Sequence, residues 1–182
     1  SFGKMPIANG FLYEKDFKNE FFFEMEVGFN EALSLFQLNN HPSPKQMFNE
    51  NYPFFTGSSI YMKNHFYKYA NYVKKNFLKN NSKIIEIGSN DGTFLDNFKN
   101  SSLDFIGFEP SSNTADIAIN KNINTIKKFF CKNSLNLIKK FEKKTDVICA
   151  ANAICHIPDL LDLIECIDQL LSSNGVFIFE EP

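Results

Sequence analysis

The stretch Lys83-Ile84-Ile85-Glu86-Ile87-Gly88-Ser89-Asn90-Asp91-Gly92-Thr93-Phe94 decides the fold class of this chain. A short apolar run ends in a glycine turn, and residues 93–99 follow with a helix-like pattern. In α/β proteins this order of strand, turn and helix holds nucleotide-like ligands at the carboxyl end of a strand. Glu109 ends the next apolar run, 21 positions after Gly88. At that spacing an acidic side chain can accept hydrogen bonds from ribose hydroxyls.

Apolar strand patterns alternate with helical patterns from residue 81 onward. The predicted strands are Lys83–Ser89, Asp104–Glu109, Thr125–Phe130, Asp146–Ala151 and Gly175–Glu180. The predicted helices are Thr93–Asn100, Asn113–Asn120, Ser134–Lys143 and Asp159–Ser172, the last with a C-cap at Asn174-Gly175. This alternation predicts an α/β fold, a Rossmann-like sheet of about five parallel strands with helices on both faces.

Three segments are predicted. Residues 1–50 form a small irregular segment, with strand-like patterns in 20–37. Residues 51–80 contain a loop that can cover the sheet as a lid, and a long helix over 59–79. Residues 81–182 form the ligand-binding domain. Because such domains usually continue past a fifth strand, we expect further chain beyond Pro182. If none follows, the last strand is an apolar sheet edge, and we expect self-association through it.

Composition excludes several classes of protein. The net charge of −2 gives no basic field for nucleic acid. No apolar stretch is long enough to predict a membrane span. The four cysteines form no Cys-x-x-Cys pair, which indicates free thiols in a reducing cytoplasm rather than a metal site. Phenylalanine is abundant, at 22 residues, and we interpret it as hydrophobic core.

The glycine turn favours one kind of ligand. Gly-Ser-Asn-Asp-Gly lacks the Gly-x-Gly-x-x-Gly phosphate-binding spacing, and Asp91 would repel a pyrophosphate. An acidic turn suits S-adenosylmethionine, which carries a sulfonium, an amino group and a ribose but no phosphate. An NAD-linked oxidoreductase is therefore disfavoured. The alternative is a tight turn that binds nothing, because Asn-Asp-Gly is also common turn chemistry.

Two further clusters carry polar side chains. Asn152 and His156 follow the fourth predicted strand, which neighbours the first across the switch point where ligands collect. His156 can accept a proton or orient a substrate, or it can cap the following helix. Tyr52 precedes the long helix, in a loop that forms a substrate wall or only a turn with a Ser58 or Ser59 cap. His65, within the helix, is expected to be structural.

These motifs resemble those of the S-adenosylmethionine-dependent sugar C-methyltransferases. The resemblance covers nearly the whole chain and is carried by residues 3–9, 52–65, 86–92, 107–111, 152–159 and 175–182. It implies a class I methyltransferase fold with a small zinc-binding amino-terminal domain. It assigns Asn152, His156 and Tyr52 to the reacting centre, with His156 and Tyr52 as catalytic candidates. The residues assigned to the cofactor are Glu86, Gly88, Ser89, Asn90, Asp91, Gly92, Phe94, Glu109, Pro110, Phe130 and Asn152.

The chain lacks the cysteine pair of that family's metal site, and its sequence does not identify the substrate. Asn30 and Leu33 stand where the family has a cysteine pair, so we expect no zinc in these residues. The implied reaction is methyl transfer to carbon of a nucleotide-linked keto-deoxysugar, whose main base can lie beyond Pro182. The alternatives are an O- or N-methyltransferase for another small metabolite, and an inactive module that binds S-adenosylmethionine or a protein partner.

Overall fold

A computed structural model describes residues 1–181, and the chain divides into two compact units, Ser1–Phe54 and Phe55–Pro182. The amino-terminal unit contains two antiparallel strand pairs, a 3-10 turn and a short helix. Their bounds are β1 (Lys4–Pro6) with β2 (Phe22–Glu24), the turn Glu14–Asn19, β3 (Val27–Asn30) with β4 (Leu35–Leu38), and α1 (Pro44–Met47). Every residue from 1 to 54 is exposed or half-buried. This unit therefore has no buried core of its own.

The second unit is a five-stranded parallel sheet with helices around it. Its elements are α2 (Ile60–Phe77), β5 (Lys83–Ile87), β6 (Asp104–Phe108), α3 (Ser112–Asn120), β7 (Thr125–Ile126), α4 (Lys132–Leu135), β8 (Thr145–Ala151), α5 (Leu160–Leu170) and β9 (Leu171–Glu180). The strand order is β7-β6-β5-β8-β9, and every pairing is parallel. The predicted Rossmann-like class is confirmed. Since β5 lies between β6 and β8, the glycine turn opens at the switch point of the sheet.

Successive side chains of β5 point to opposite faces of the sheet and pack into two separate hydrophobic layers. Ile85 and Ile87 face the layer that α5 covers, whereas Ile84 faces the layer that α2 covers. The buried stripe of α2 is Phe66, Ala70 and Val73, at the helical spacing that the sequence shows. Ser59 begins this helix as an N-cap, and its hydroxyl accepts a hydrogen bond from the Met62 N–H at 3.4 Å. The predicted long helix and its serine cap are confirmed.

Two predicted helices are shorter than the pattern suggests. Thr93–Asn100 contains only a 3-10 turn, Leu95–Phe98. The Asn97 side-chain amide donates to the carbonyls of Thr93 and Phe94, at 3.1 and 3.0 Å, and the Phe94 carbonyl also accepts the Asn97 backbone N–H at 3.2 Å. In the region 134–143, α4 gives way to a 3-10 turn with a break at Ile138, whose φ and ψ are −125° and 33°. The break lets both Ile138 and Phe141 enter the core.

The predicted end of the last helix is wrong. The helix stops at Leu170, and Leu171 already pairs with Thr145 as the first residue of β9. Gly175 is not a helix cap but lies within β9, where a Cβ would sit 2.6 Å from the Thr145 carbonyl oxygen. Glycine thus permits a close backbone approach beside an irregularity in the β8–β9 pairing. The third strand is also shorter than predicted, because only Thr125–Ile126 pairs with β6.

Candidate functional site

The turn after β5 is held in shape by its glycines and by β6. Gly88 and Gly92 have φ of +71° and +76°, a left-handed conformation that side chains disfavour. The N–H groups of Gly88 and Ser89 both donate to the Phe108 carbonyl at 2.9 Å. A Cβ on Gly88 would lie 2.8 Å from Ala153 Cβ, in the loop after β8. The turn and the second polar cluster therefore face each other across the switch point.

Glu109 lies at this turn, as its spacing predicted. Its carboxylate accepts hydrogen bonds from the Asn90 N–H at 2.9 Å and the Ser111 N–H at 2.7 Å. Burial raises the pKa of Glu109, and the hydrogen bonds from Ser111 and Asn90 oppose that rise. Pro110 is half-buried between Glu109 and Ser111, the N-cap residue of α3. Glu109 thus joins the ends of β5 and β6 into one rim.

The Asp91 carboxylate is buried and makes hydrogen bonds within the protein. Asp91 is 3% exposed, and its carboxylate accepts from the Gly57 N–H at 2.8 Å and the Thr93 hydroxyl at 2.6 Å. Asn90 Oδ1 accepts from the Thr56 N–H at 2.9 Å. The short turn Thr56–Ser58 is therefore docked on the glycine turn. The Asp91 oxygens thus accept hydrogen bonds from within the protein, and contact of this carboxylate with a cationic ligand stays a prediction.

Glu86 is another buried acid of the site, 4% exposed. Burial raises its pKa well above the usual range, and the neighbouring carboxylates of Glu109 and Asp91 add to the rise. Its Oε2 and the Oγ of Ser89 have no hydrogen-bond partner among the described residues. Buried polar atoms without partners are costly and require an explanation such as a ligand or a water molecule. Both atoms belong to the stretch assigned to a cofactor.

The loop after β8 carries Asn152 and His156 at the same edge of the sheet. Asn152 adopts a left-handed φ of 53°, and its N–H donates to the Glu180 carbonyl at 2.9 Å. His156 ends an exposed 3-10 turn, Ile154–His156. The structure therefore brings Asn152 and His156 to the rim that the glycine turn and Glu109 also form.

Two aromatic side chains have different positions from those expected for cofactor contacts. Phe94 is 1% exposed and packs on Tyr69 and Phe98, with ring centroids 5.0 and 5.1 Å apart. Phe130 is buried edge-on against Phe108, at 5.2 Å. Both rings are buried in the hydrophobic core, and their contact with a cofactor stays a prediction. Apolar side chains next to a ligand-binding turn look alike in sequence whether they bind or pack.

Tyr52 belongs to the amino-terminal unit, where its ring lies 5.4 Å from that of Phe48. Its catalytic role stays a prediction. Among residues 1–181, no group of three His, Cys, Asp or Glu side chains is arranged to hold a metal ion. No helix in the same range is long and apolar enough to cross a bilayer.

The sequence argument missed four residues at this rim: Thr56, Gly57, Glu180 and Glu181. Gly57 had a detectable signal, since it lies among the hydroxyl residues before α2. A Cβ on it would meet Asp91 Oδ2 at 2.6 Å. Glu180 and Glu181 also had a detectable signal in the sequence, because they end a strand next to the Asn152 loop. Sequence spacing does not tell which way such carboxylates point.

Comparison with known proteins identifies a family model and a relative. Residues 61–182 match a model described as a methyltransferase domain. The chain is 25% identical over 184 aligned residues to the C-methyltransferase NovU of Streptomyces niveus. That alignment covers all of this chain and 44% of the relative, so the chain spans less than half of the relative's length.

Solved structures agree on the fold. A putative S-adenosyl-L-methionine-dependent methyltransferase of Methanococcus maripaludis superposes with a TM-score of 0.54 at 16% identity, over 71% of this chain and 64% of that one. Geranyl diphosphate C-methyltransferase of Streptomyces coelicolor, determined with S-adenosyl-L-homocysteine, gives a TM-score of 0.50 at 12% identity, over 62% and 44%. These likenesses confirm the class I methyltransferase architecture.

Proposed function

Because the chain belongs to the family of methyltransferase domains, we propose that it binds S-adenosylmethionine at the turn Gly88–Gly92 and methylates carbon of a nucleotide-linked keto-deoxysugar. One observation carries the proposal. Glu109 receives the Asn90 N–H at 2.9 Å, so a carboxylate lies at the glycine turn, where a ribose would be held. The name of the relative, a C-methyltransferase, supports carbon as the accepting atom.

The residues present fit this cofactor. Its phosphate-free adenosyl group needs no anion-binding turn, and its ribose hydroxyls suit a carboxylate at the end of β6 such as that of Glu109. Glu86 Oε2 and Ser89 Oγ supply polar atoms that no described residue satisfies. Glu109 would receive the ribose hydroxyls, and Asn152 would hold the amino-acid end of the cofactor.

S-adenosylmethionine supplies a methyl group bound to positively charged sulfur. The protein aligns the acceptor carbon with that methyl group and removes the acidic proton beside the ketone. His156 is our candidate for the proton acceptor, and Tyr52 is the candidate that orients the carbonyl. With the cofactor bound, the carbon would accept the methyl group, and the electrons of the broken carbon–sulfur bond would stay on sulfur. The free thiols support the predicted cytoplasmic location.

Calorimetric titration with S-adenosylhomocysteine tests the cofactor site. We expect saturable binding to the wild type and about tenfold weaker binding to Glu109→Ala, because hydrogen bonds to a charged group are lost. Glu165→Gln is the matched control, since Glu165 lies on the exposed side of α5. No heat with the wild type would contradict the proposal and favour an inactive module.

A panel of acceptors tests the reaction. We expect methylated product from nucleoside-diphosphate 4-keto-6-deoxyhexoses, with the new methyl on carbon in the NMR spectrum. His156→Ala should lower turnover by about 10²-fold or more, as expected for general-base catalysis. Product with the methyl on oxygen or nitrogen would contradict carbon as the accepting atom, and no product from any of these sugars would contradict the sugar assignment. Unchanged turnover in His156→Ala and none in Tyr52→Phe would transfer the base role to Tyr52.

A further inference from the structure

The end of β9 presents two consecutive carboxylates to opposite faces of the sheet. Glu180 faces α2, where His65 Nε2 lies 2.8 and 2.9 Å from its two oxygens. Glu181 faces the loop after β8, whose Ala153 and Ile154 pack on the α5 side of the sheet. Opposite directions are expected of neighbouring residues in an extended chain. The end of β9 thus contacts α2 through Glu180 and the loop after β8 through Glu181.

Glu181 binds three successive backbone N–H groups. Its Oε1 accepts from Ala153 at 3.0 Å and from Ile154 at 2.7 Å, and its Oε2 accepts from Cys155 at 3.4 Å. Burial alone would raise the pKa of Glu181. The hydrogen bonds from the Cys155 thiol and the backbone outweigh burial and lower it. The loop is therefore fastened by an ionised acid, which makes the stronger class of hydrogen bond.

The loop so fastened carries both polar side chains of the second cluster. Asn152 immediately precedes the three donors, in a left-handed conformation that non-glycine residues adopt at a cost. His156 immediately follows them. Ala153 also touches the glycine turn, because its Cβ lies 2.8 Å from where a Gly88 Cβ would be. Any displacement of this backbone changes the shape of the rim itself.

We infer that Glu181 is a positioning residue that fixes the loop 152–156 against the glycine turn and so sets the places of Asn152 and His156. It acts through the backbone and need not touch cofactor or acceptor. Its effect on methyl transfer rests on the proposed function. Its effect on the loop does not, because the three hydrogen bonds exist in the chain as it stands.

Cys155 is a built-in reporter of this contact. Burial, the Glu181 hydrogen bond and the Glu181 charge raise the pKa of this thiol to about 11. The side chain is nevertheless on the surface. Since the thiolate is the reactive form, the thiol should be slow to alkylate while Glu181 holds it. Loss of the carboxylate charge should speed alkylation at pH 8 by about tenfold.

The experiment compares Glu181→Gln and Glu181→Ala with Glu180→Gln and the surface control Glu165→Gln. Three measurements are made well below the unfolding temperature of each variant: S-adenosylhomocysteine affinity, turnover with its pH profile, and Cys155 alkylation by iodoacetamide read by mass spectrometry. We expect the Glu181 variants to bind about tenfold more weakly and to turn over about 10²-fold more slowly. Cys155 should react about tenfold faster in them, and Glu180→Gln should leave that rate unchanged.

The inference fails if the folded Glu181 variants keep the wild-type cofactor affinity, turnover and Cys155 reactivity, and differ from the wild type only in unfolding at a lower temperature. It also fails if Glu180→Gln changes Cys155 reactivity as much as Glu181→Gln does. If the wild type methylates no acceptor, the proposed reaction fails instead. The alkylation and affinity measurements still decide whether Glu181 holds the loop.

Discussion

Most phenylalanine rings of the second unit are buried or half-buried, with Phe77 and Phe179 as exposed exceptions, whereas most of those in the amino-terminal unit are exposed. Phe98 and Phe108 are 0% and 1% exposed, whereas Phe11 and Phe36 are 81% and 67% exposed. A five-stranded sheet with helices on both faces has two layers in which to bury rings. A two-stranded pair has no second layer. Our interpretation of the phenylalanines as hydrophobic core is therefore confirmed for the buried rings of the second unit and wrong for the exposed rings of the first.

The largest expected effect comes from removing one ring in each unit. Phe94→Ala should lower the free energy of unfolding by about 3–5 kcal/mol, because it leaves a cavity beside Tyr69 and Phe98. Phe11→Ala should change it by less than about 0.5 kcal/mol, because Phe11 is exposed. Urea denaturation followed by circular dichroism measures both. Similar losses in the two variants would break the comparison between the units.

The second prediction concerns the buried polar contacts that only the second unit has. Asp91→Ala leaves the N–H of Gly57 without its acceptor and removes the partner of the Thr93 hydroxyl. We expect a loss of about 1–3 kcal/mol in the free energy of unfolding. Asp96→Ala is the control, since Asp96 is exposed and pairs only with Lys99 nearby. An equal loss of unfolding free energy in both variants would show that the buried contacts of Asp91 stabilise the protein no more than the exposed pair of Asp96 does.

The third prediction is a pH dependence located in the second unit. The folded protein keeps the Glu86 proton that an unfolded chain loses above its ordinary pKa of 4.5. Stability is therefore lost as pH rises from that value through the raised folded pKa. Glu86→Gln should flatten this fall, so that the variant becomes more stable relative to the wild type as the pH rises, which urea denaturation at several pH values measures. Glu14→Gln, at an exposed site of the amino-terminal unit, should change nothing.

The smallest expected effect separates two sources of self-association. β9 is an edge strand of the sheet as described, and Phe179 on it is 57% exposed. We expect Phe179→Lys to reduce association in multi-angle light scattering, since charges block edge pairing. If Phe36→Lys reduces it instead, the aromatic surface of the amino-terminal unit drives association. A monomeric wild type would contradict the edge prediction.

The sheet was predictable because its signals are local. Near-continuous apolar runs such as Ile84–Ile87, which Glu86 interrupts, need cover on both faces, and the glycine turn follows from its residue types. Glu109 was found at the rim because strand spacing fixes which ends meet. The failures have a physical pattern too. Short 3-10 turns replaced helices where Asn97 side-chain bonds competed with the backbone.

The direction of side chains was the part that sequence could not supply. Asp91 turns inward to Gly57, and Phe94 and Phe130 turn into the core. Each choice depends on elements far along the chain, so no local pattern records it. Glu181 was overlooked for the same reason, since its three donors lie 26 to 28 positions earlier.

The strand order carries a consequence for how the chain folds. The Lys83 N–H bonds to Asp146 across 63 positions of chain, at the start of the central strand pairing. A loop of that length must close before β5 and β8 can hold each other, which slows the search for the native state. Both walls of the cleft depend on this late step. We therefore expect a molecule in which β5 and β8 have not yet paired to lack the ligand-binding rim, so that ligand binding would report the completed sheet.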